Sequence, residues 1–248
     1  MFPIPISLLW LLLLLGPLLI LQKGLHREIQ LTFFLITRRI ELSQALFAIF
    51  FLPGVILHEG SHYVTAKLLG VKTVKFSLIP RSLPGGKLQL GFVETRRTDI
   101  LRDSIIGIAP FIAGSIFVAY VGLIQLNILE LMVTISQAGY QAILAEIRLF
   151  FSQPDVWIWF YLALAVSSTM LPSSSDRKAW MPLVLCFIVI LVILIIIGKD
   201  SNNLIGVRNL LDQSFSAIAV VVFISIVLHI TVLFPLWMIR HILQRWLG

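Results

Sequence analysis

The chain has 248 residues, of which 58% are hydrophobic and only 12% charged, and its mean hydropathy is +0.99. These values lie far from those of soluble domains and exclude one. The formal charge of +7 does not point to nucleic acid, because basic loops set the orientation of a membrane protein, and the single cysteine, Cys186, excludes an internal disulfide.

The expected architecture is an all-α polytopic membrane protein of about six transmembrane helices with a small β-hairpin insertion at about 71–95. Residues 4–21 read as a retained first membrane helix: no Lys or Arg precedes the Leu-rich run, and no small-x-small cleavage site follows it. A basic connecting segment, 22–41, comes next. The second apolar segment spans 42–69, the third 103–126, the fourth 156–171, the fifth 180–197 and the sixth 215–238, each near the length a bilayer requires. Residues 128–153 carry apolar positions at helical spacing with Glu130, Glu146 and Arg148 between them, which suits an interfacial or re-entrant helix. Between the second and third segments, "VKTVKFSL" and "KLQLGFVET" alternate polar and apolar around "PRSLPGG", the pattern of a hairpin. This divides the chain into an N-terminal helix and connection (1–44), a core (45–180) and two C-terminal helices (181–248).

With a cytoplasmic N-terminus, twelve Lys and Arg fall on the inner side: eight from Lys67 to Arg102, then Arg177, Lys178, Arg240 and Arg245. Seven fall outside: Lys23, Arg27, Arg38, Arg39, Arg148, Lys199 and Arg208. The bias favours both termini in the cytoplasm.

The second segment contains His58-Glu59-Gly60-Ser61-His62, an H-E-x-x-H pattern. On a helix His58 and His62 point the same way and can share one metal ion. Glu59 is offset around the axis, where a base for a metal-activated water belongs. Two packed histidines and an edge carboxylate are the plainer reading. It is disfavoured, because a composition-driven match is roughly a one-in-several-hundred event and ionisable groups inside a membrane helix cost a few kcal/mol each. Pro53-Gly54, just upstream, suggests a kink that admits water or serves packing.

A catalytic zinc takes a third protein ligand. His26, in the basic connection, His229, in the sixth helix, and His241, in the tail, have no metal-site context. Asp176 stands out, since "TMLPSSSDRKAW" ends one membrane helix at Pro172 and begins another near Trp180. There it serves either as a ligand on unwound backbone or as an N-cap. Glu94, Glu130 and Glu146 are the other carboxylates in question.

"HEGSHYVTAKLLGVKTVKFSL" (58–78) resembles the site-2 protease family of intramembrane zinc metalloproteases, in which the H-E-x-x-H helix precedes a membrane-associated hairpin. "GIAPFIAG" (107–114) is similar to the family's Gly-Pro-rich helix beside the metal helix, where Ala109, Ala113 and Gly114 would permit close approach. "TMLPSSSD" (169–176) is similar to its Asn-x-x-Pro…Asp-Gly segment. The resemblance covers residues 45–180 and departs from the family at Ala109 for Gly, Thr169 for Asn and Arg177 for Gly. It implies zinc on His58, His62 and Asp176, with Glu59 as general base. The implied substrate is a membrane-embedded or membrane-adjacent peptide, unwound before attack and held by strand addition to the hairpin. The partners expected are thus that peptide and the bilayer, with no nucleic acid. Two other readings stand beside it: a membrane-anchored metalloprotease working outside the bilayer with a Glu as third ligand, and a non-catalytic scaffold or transporter.

Overall fold

The two ends of the chain pack together. In the computed structural model, which describes residues 5–83, 87–137, 139–197 and 205–247, helix α1 (Ile6–Thr37) lies along α9 (Ile205–Leu247) over much of its length. The connecting segment expected at 22–41 is therefore largely helix. Its cause is a stripe of buried residues, Leu11, Leu18, Leu25, Ile29 and Thr32, at spacings of seven, seven, four and three. Lys23 and Arg27 interrupt the hydropathy of this stretch without interrupting the stripe. The buried Glu28 is ion-paired to Arg240 of α9, which satisfies both charges at this contact.

The second apolar segment is two helices, α2 (Ile40–Phe50) and α3 (Leu52–Leu68), bent by 65°. Pro53 explains the break. It has no N–H to give the Ile49 carbonyl four residues back and its ring crowds that carbonyl, so α2 cannot run on, whereas in the first turn of α3 its missing N–H has no partner to lose. After α3 come strands β1 (Thr73–Ser77), β2 (Arg81–Leu83), β3 (Lys87–Gln89) and β4 (Phe92–Thr95). β1 pairs antiparallel with β4, with Lys75 opposite Glu94, and β2 pairs with β3. The hairpin falls within the expected 71–95 as two successive ladders, and Arg81–Leu83, expected in its turn, is strand; its tip, 84–86, lies outside the described residues.

This hairpin folds back along α3. Phe76 meets Tyr63 (5.6 Å between ring centroids), and one step deeper Gly91 meets Val55 and Glu59. A Cβ on Gly91 would come 2.9 Å from both Glu59 Cγ and Val55 Cγ1, so only glycine permits this approach.

Helix α4 (Ile100–Tyr120) begins at Asp99, whose Oδ1 accepts from the Arg102 N–H at 3.0 Å. That bond holds the Asp99 carboxyl below the usual carboxylate range. A π-helical turn, Val121–Gln125, follows, then α5 (Ile128–Gln137) and α6 (Tyr140–Ser152). The last part of α6 turns by 87° into α7 (Val156–Thr169), as suits a re-entrant element. Helix α8 (Ser174–Ile197) completes the set.

Three helices, Ile6–Thr37, Ile100–Gln125 and Gly206–Trp246, are long and apolar enough to cross a membrane, and the two bent pairs bring the number to five if each is one span. This is the architecture of a helical integral membrane protein.

Candidate metal centre

Helix α3 presents His58 and His62 one turn apart, with ring centroids separated by 5.0 Å. The end of α7 reaches this face because Gly54 lets it. A Cβ there would lie 2.3 Å from both the Ala165 carbonyl oxygen and Thr169 Oγ1. Gly54 is therefore a packing residue, while the bend lies upstream at Phe51. Gly114 plays the same part for Met170, whose Cβ would be 2.3 Å from an added methyl. The nearest approach at Gly114 is thus to the segment after α7, while α4 packs along α3 as expected.

Each imidazole is aimed by a backbone carbonyl. Nδ1 of His58 lies 2.7 Å from the Thr169 oxygen, and Nδ1 of His62 lies 2.8 Å from the Ile106 oxygen. A carbonyl only accepts, so Nδ1–H is the donor in both bonds and Nε2 is left to face the site. Both carbonyls are free for a reason written in the sequence. The helical partner of the Ile106 oxygen would be the N–H of residue 110, which is proline. The partner of the Thr169 oxygen would be the N–H of Ser173, which instead donates to Asp176 Oδ2 at 2.8 Å.

Asp176 is not on unwound backbone. It sits in the first turn of α8, and Ser173 and Asp176 cap each other: the Asp176 N–H donates to Ser173 Oγ at 3.3 Å while its carboxylate accepts from the Ser173 N–H. Capping and ligation are therefore the same arrangement. The cap fixes the carboxylate, whose Oδ1 stands 3.4 Å from His62 Nε2 and Oδ2 3.6 Å from His58 Nε2.

His58, His62 and Asp176 thus bring three ligand atoms within 4.8 Å of one another, a set that can hold a metal ion. With each Nδ1–H given to a carbonyl, both Nε2 atoms and the carboxylate face one spot, where a metal ion, or a proton carried by an imidazole, would join them. The separations are long for hydrogen bonds and close to the roughly 3.4 Å between ligand atoms in a tetrahedral site with bonds of about 2.0–2.1 Å. The side chains keep 12, 9 and 13% exposure respectively, enough for one open side.

Glu59 lies outside the three-ligand set but lines the same cleft, of about 500 Å³, together with His58, His62, Asp176 and residues 88–93 of the hairpin. A smaller cavity of about 280 Å³, lined by Thr95, Arg97, Asp103 and Ser175, reaches His62 and Asp176 from the other side. Glu94 is exposed on β4, Glu130 bonds Asn127, and neither they nor Glu146 join the histidines. Among the remaining histidines, His241 bonds its own helix at Trp237. His26 lies in α1, against Phe47 and Phe51, and not in a loop.

A second ring of residues braces the end of α7. Pro172 has no N–H for the Ser168 carbonyl, which accepts instead from Gln22 Nε2 of α1 at 2.6 Å. His229 of α9 is fully buried. It donates Nδ1–H to the Ser225 oxygen and lies 3.0 Å by Nε2 from Ser168 Oγ. The sequence marked His229 only as a histidine of the sixth helix without metal-site context, and gave no sign of Gln22. No family model, curated protein or solved structure matches the chain.

Proposed function

We propose that the protein is an intramembrane zinc endopeptidase of the site-2 protease type, with His58, His62 and Asp176 holding the metal and Glu59 moving the proton. The observation that carries this reading is the convergence of three lone-pair donors on one spot, in a cleft whose wall also holds a carboxylate outside the ligand set. Zinc is the ion favoured by a His₂-carboxylate set, and when bound it supplies Lewis acidity towards water and the scissile carbonyl. Glu59 takes a proton from the attacking water as the new C–O bond forms, then delivers it to the amide nitrogen as the C–N bond breaks. The Thr169 and Ile106 carbonyls keep both imidazoles in the tautomer that leaves Nε2 free.

The hairpin supports a role in holding substrate. Residues 88–93 form a wall of the cleft, β3 pairs only with β2 and β4 only with β1 among the described residues, so each ladder has an outer edge to offer. An unwound peptide can pair there as an added strand. The smaller polar cavity beside His62 gives water a separate approach. A six-span topology with cytoplasmic termini belongs to the same proposal, with α8 as the further span. Glu94, Glu130 and Glu146 stand apart from the histidines, which disfavours a site completed by glutamate.

The test is Glu59→Gln in the purified, zinc-loaded protein. Proteolysis falls by about 10²-fold or more, while zinc remains stoichiometric by elemental analysis. Wild-type turnover by this variant overturns the mechanism, and loss of zinc makes Glu59 a ligand.

A further inference from the structure

The cleft does not end at the metal-binding residues. It shares His26, Leu88 and Leu90 with an adjoining cavity of about 720 Å³ between α1, α2 and the hairpin. Resting on the protease reading above, we propose that this cavity is the substrate's specificity subsite and selects peptides with an acidic side chain at a fixed position on one side of the scissile bond.

Three observations carry this. First, Lys23 and Arg27 line the cavity one helical turn apart, both exposed, and no carboxylate is among its lining residues. Like charges four residues apart oppose helix formation unless an anion offsets them. The nearest carboxylate along α1, Glu28, is already paired with Arg240. Second, continuity runs along the strand edge. Leu88 and Leu90 line both spaces, so a peptide paired along this strand would pass from the cleft into the cationic cavity. Third, His26 stands where the two spaces meet, and its Nε2 is buried without a hydrogen-bond partner among the described residues. A peptide backbone group crossing that junction would satisfy it.

The experiment uses full-length Glu59→Gln protein in nanodiscs of neutral phosphatidylcholine, so that binding is read without cleavage. The probes are fluorescein-labelled apolar peptides identical except for one Glu moved stepwise along the chain, with Gln in its place as control. Fluorescence anisotropy gives Kd. At one position of the Glu, binding is expected to be about fivefold tighter than for the Gln control, as two exposed ion pairs would give. Lys23→Gln/Arg27→Gln and Lys23→Glu/Arg27→Glu both remove that preference, and two exchanges of different charge guard against a folding artefact. Equal Kd for Glu and Gln peptides at every position overturns the proposal, as does a preference that survives in both variants. Retention of phosphatidylglycerol over phosphatidylcholine that both variants lose, with no Glu preference in the neutral discs, assigns the cations to lipid headgroups and also overturns it. Cleavage of the same peptides by the wild-type protein is scored separately: none at all defeats the protease reading, whereas cleavage without acidic preference defeats only the subsite.

Discussion

The Ile106 carbonyl accepts from Nδ1 of His62 at 2.8 Å, and it is free to do so because its own helical partner would be the missing N–H of Pro110. A helix irregularity in α4 is thereby converted into a hydrogen bond that orients a side chain of α3.

Pro110→Ala restores the N–H and lets α4 reclaim that carbonyl. Metal affinity is expected to fall by about 10–100-fold, the usual effect of losing such a partner to a ligating histidine. Thermal stability holds or rises, since proline in a helix interior costs about 3 kcal/mol. Competition titration against a chromophoric chelator, with a melting curve alongside, checks both signs. Unchanged affinity would mean that the His62 ring is held by packing alone.

Asp176→Ala removes a ligand and half of the reciprocal cap, so zinc and activity are both lost. Ser173→Ala takes away only the hydroxyl that accepts from the Asp176 N–H, a change worth about 1 kcal/mol, and weakens zinc binding less. Asp155→Ala and Asp212→Ala keep both zinc and activity. Stoichiometric zinc in the Asp176 variant, measured by elemental analysis, would move the third ligand elsewhere.

Gly91→Ala forces the hairpin away from Glu59 and Val55, because its methyl would sit 2.9 Å from each. Overpacking of this kind costs roughly 1–3 kcal/mol, and here the strain lies between the proposed base and the substrate edge. Cleavage is expected to fall at least tenfold with zinc retained. Gly60→Ala is the control on the same helix: its Cβ meets nothing within 4 Å, and it leaves cleavage intact. Similar rates for the two variants would show that the hairpin's seat is unimportant.

Leu90 follows β3 and precedes β4, so it belongs to neither ladder, yet it lines the cleft. Proline at this position removes one N–H from the edge without breaking a hairpin pair. Leu90→Pro is expected to slow cleavage more than Leu90→Ala does, in protein of equal melting temperature. Equal kcat/KM for the two variants would rule out backbone pairing by Leu90.

How far the sequence speaks depends on how local each feature is. His58, Glu59 and His62 are legible because their chemistry demands fixed residue types one helical turn apart. Asp176 is legible from Pro172 and the serines after it, although those serines start a helix instead of leaving the chain unwound. The later half of α1 is not, since Lys23 and Arg27 interrupt a hydropathy run while the buried stripe beneath them continues. The contact of Gly91 with Glu59 is equally hidden. A glycine in an alternating strand signals that some backbone comes close, and only the folded chain says which.

Gln22 and His229 sit near opposite ends of the chain and meet at Ser168, next to the carbonyl that aims His58. A ribosome that has delivered α3 has already made the entire H-E-x-x-H motif, yet the His229 half of the brace on Ser168 is not made until α9. The Ser168 brace thus arrives with α9, after every proposed ligand and both carbonyls that aim the histidines have been made.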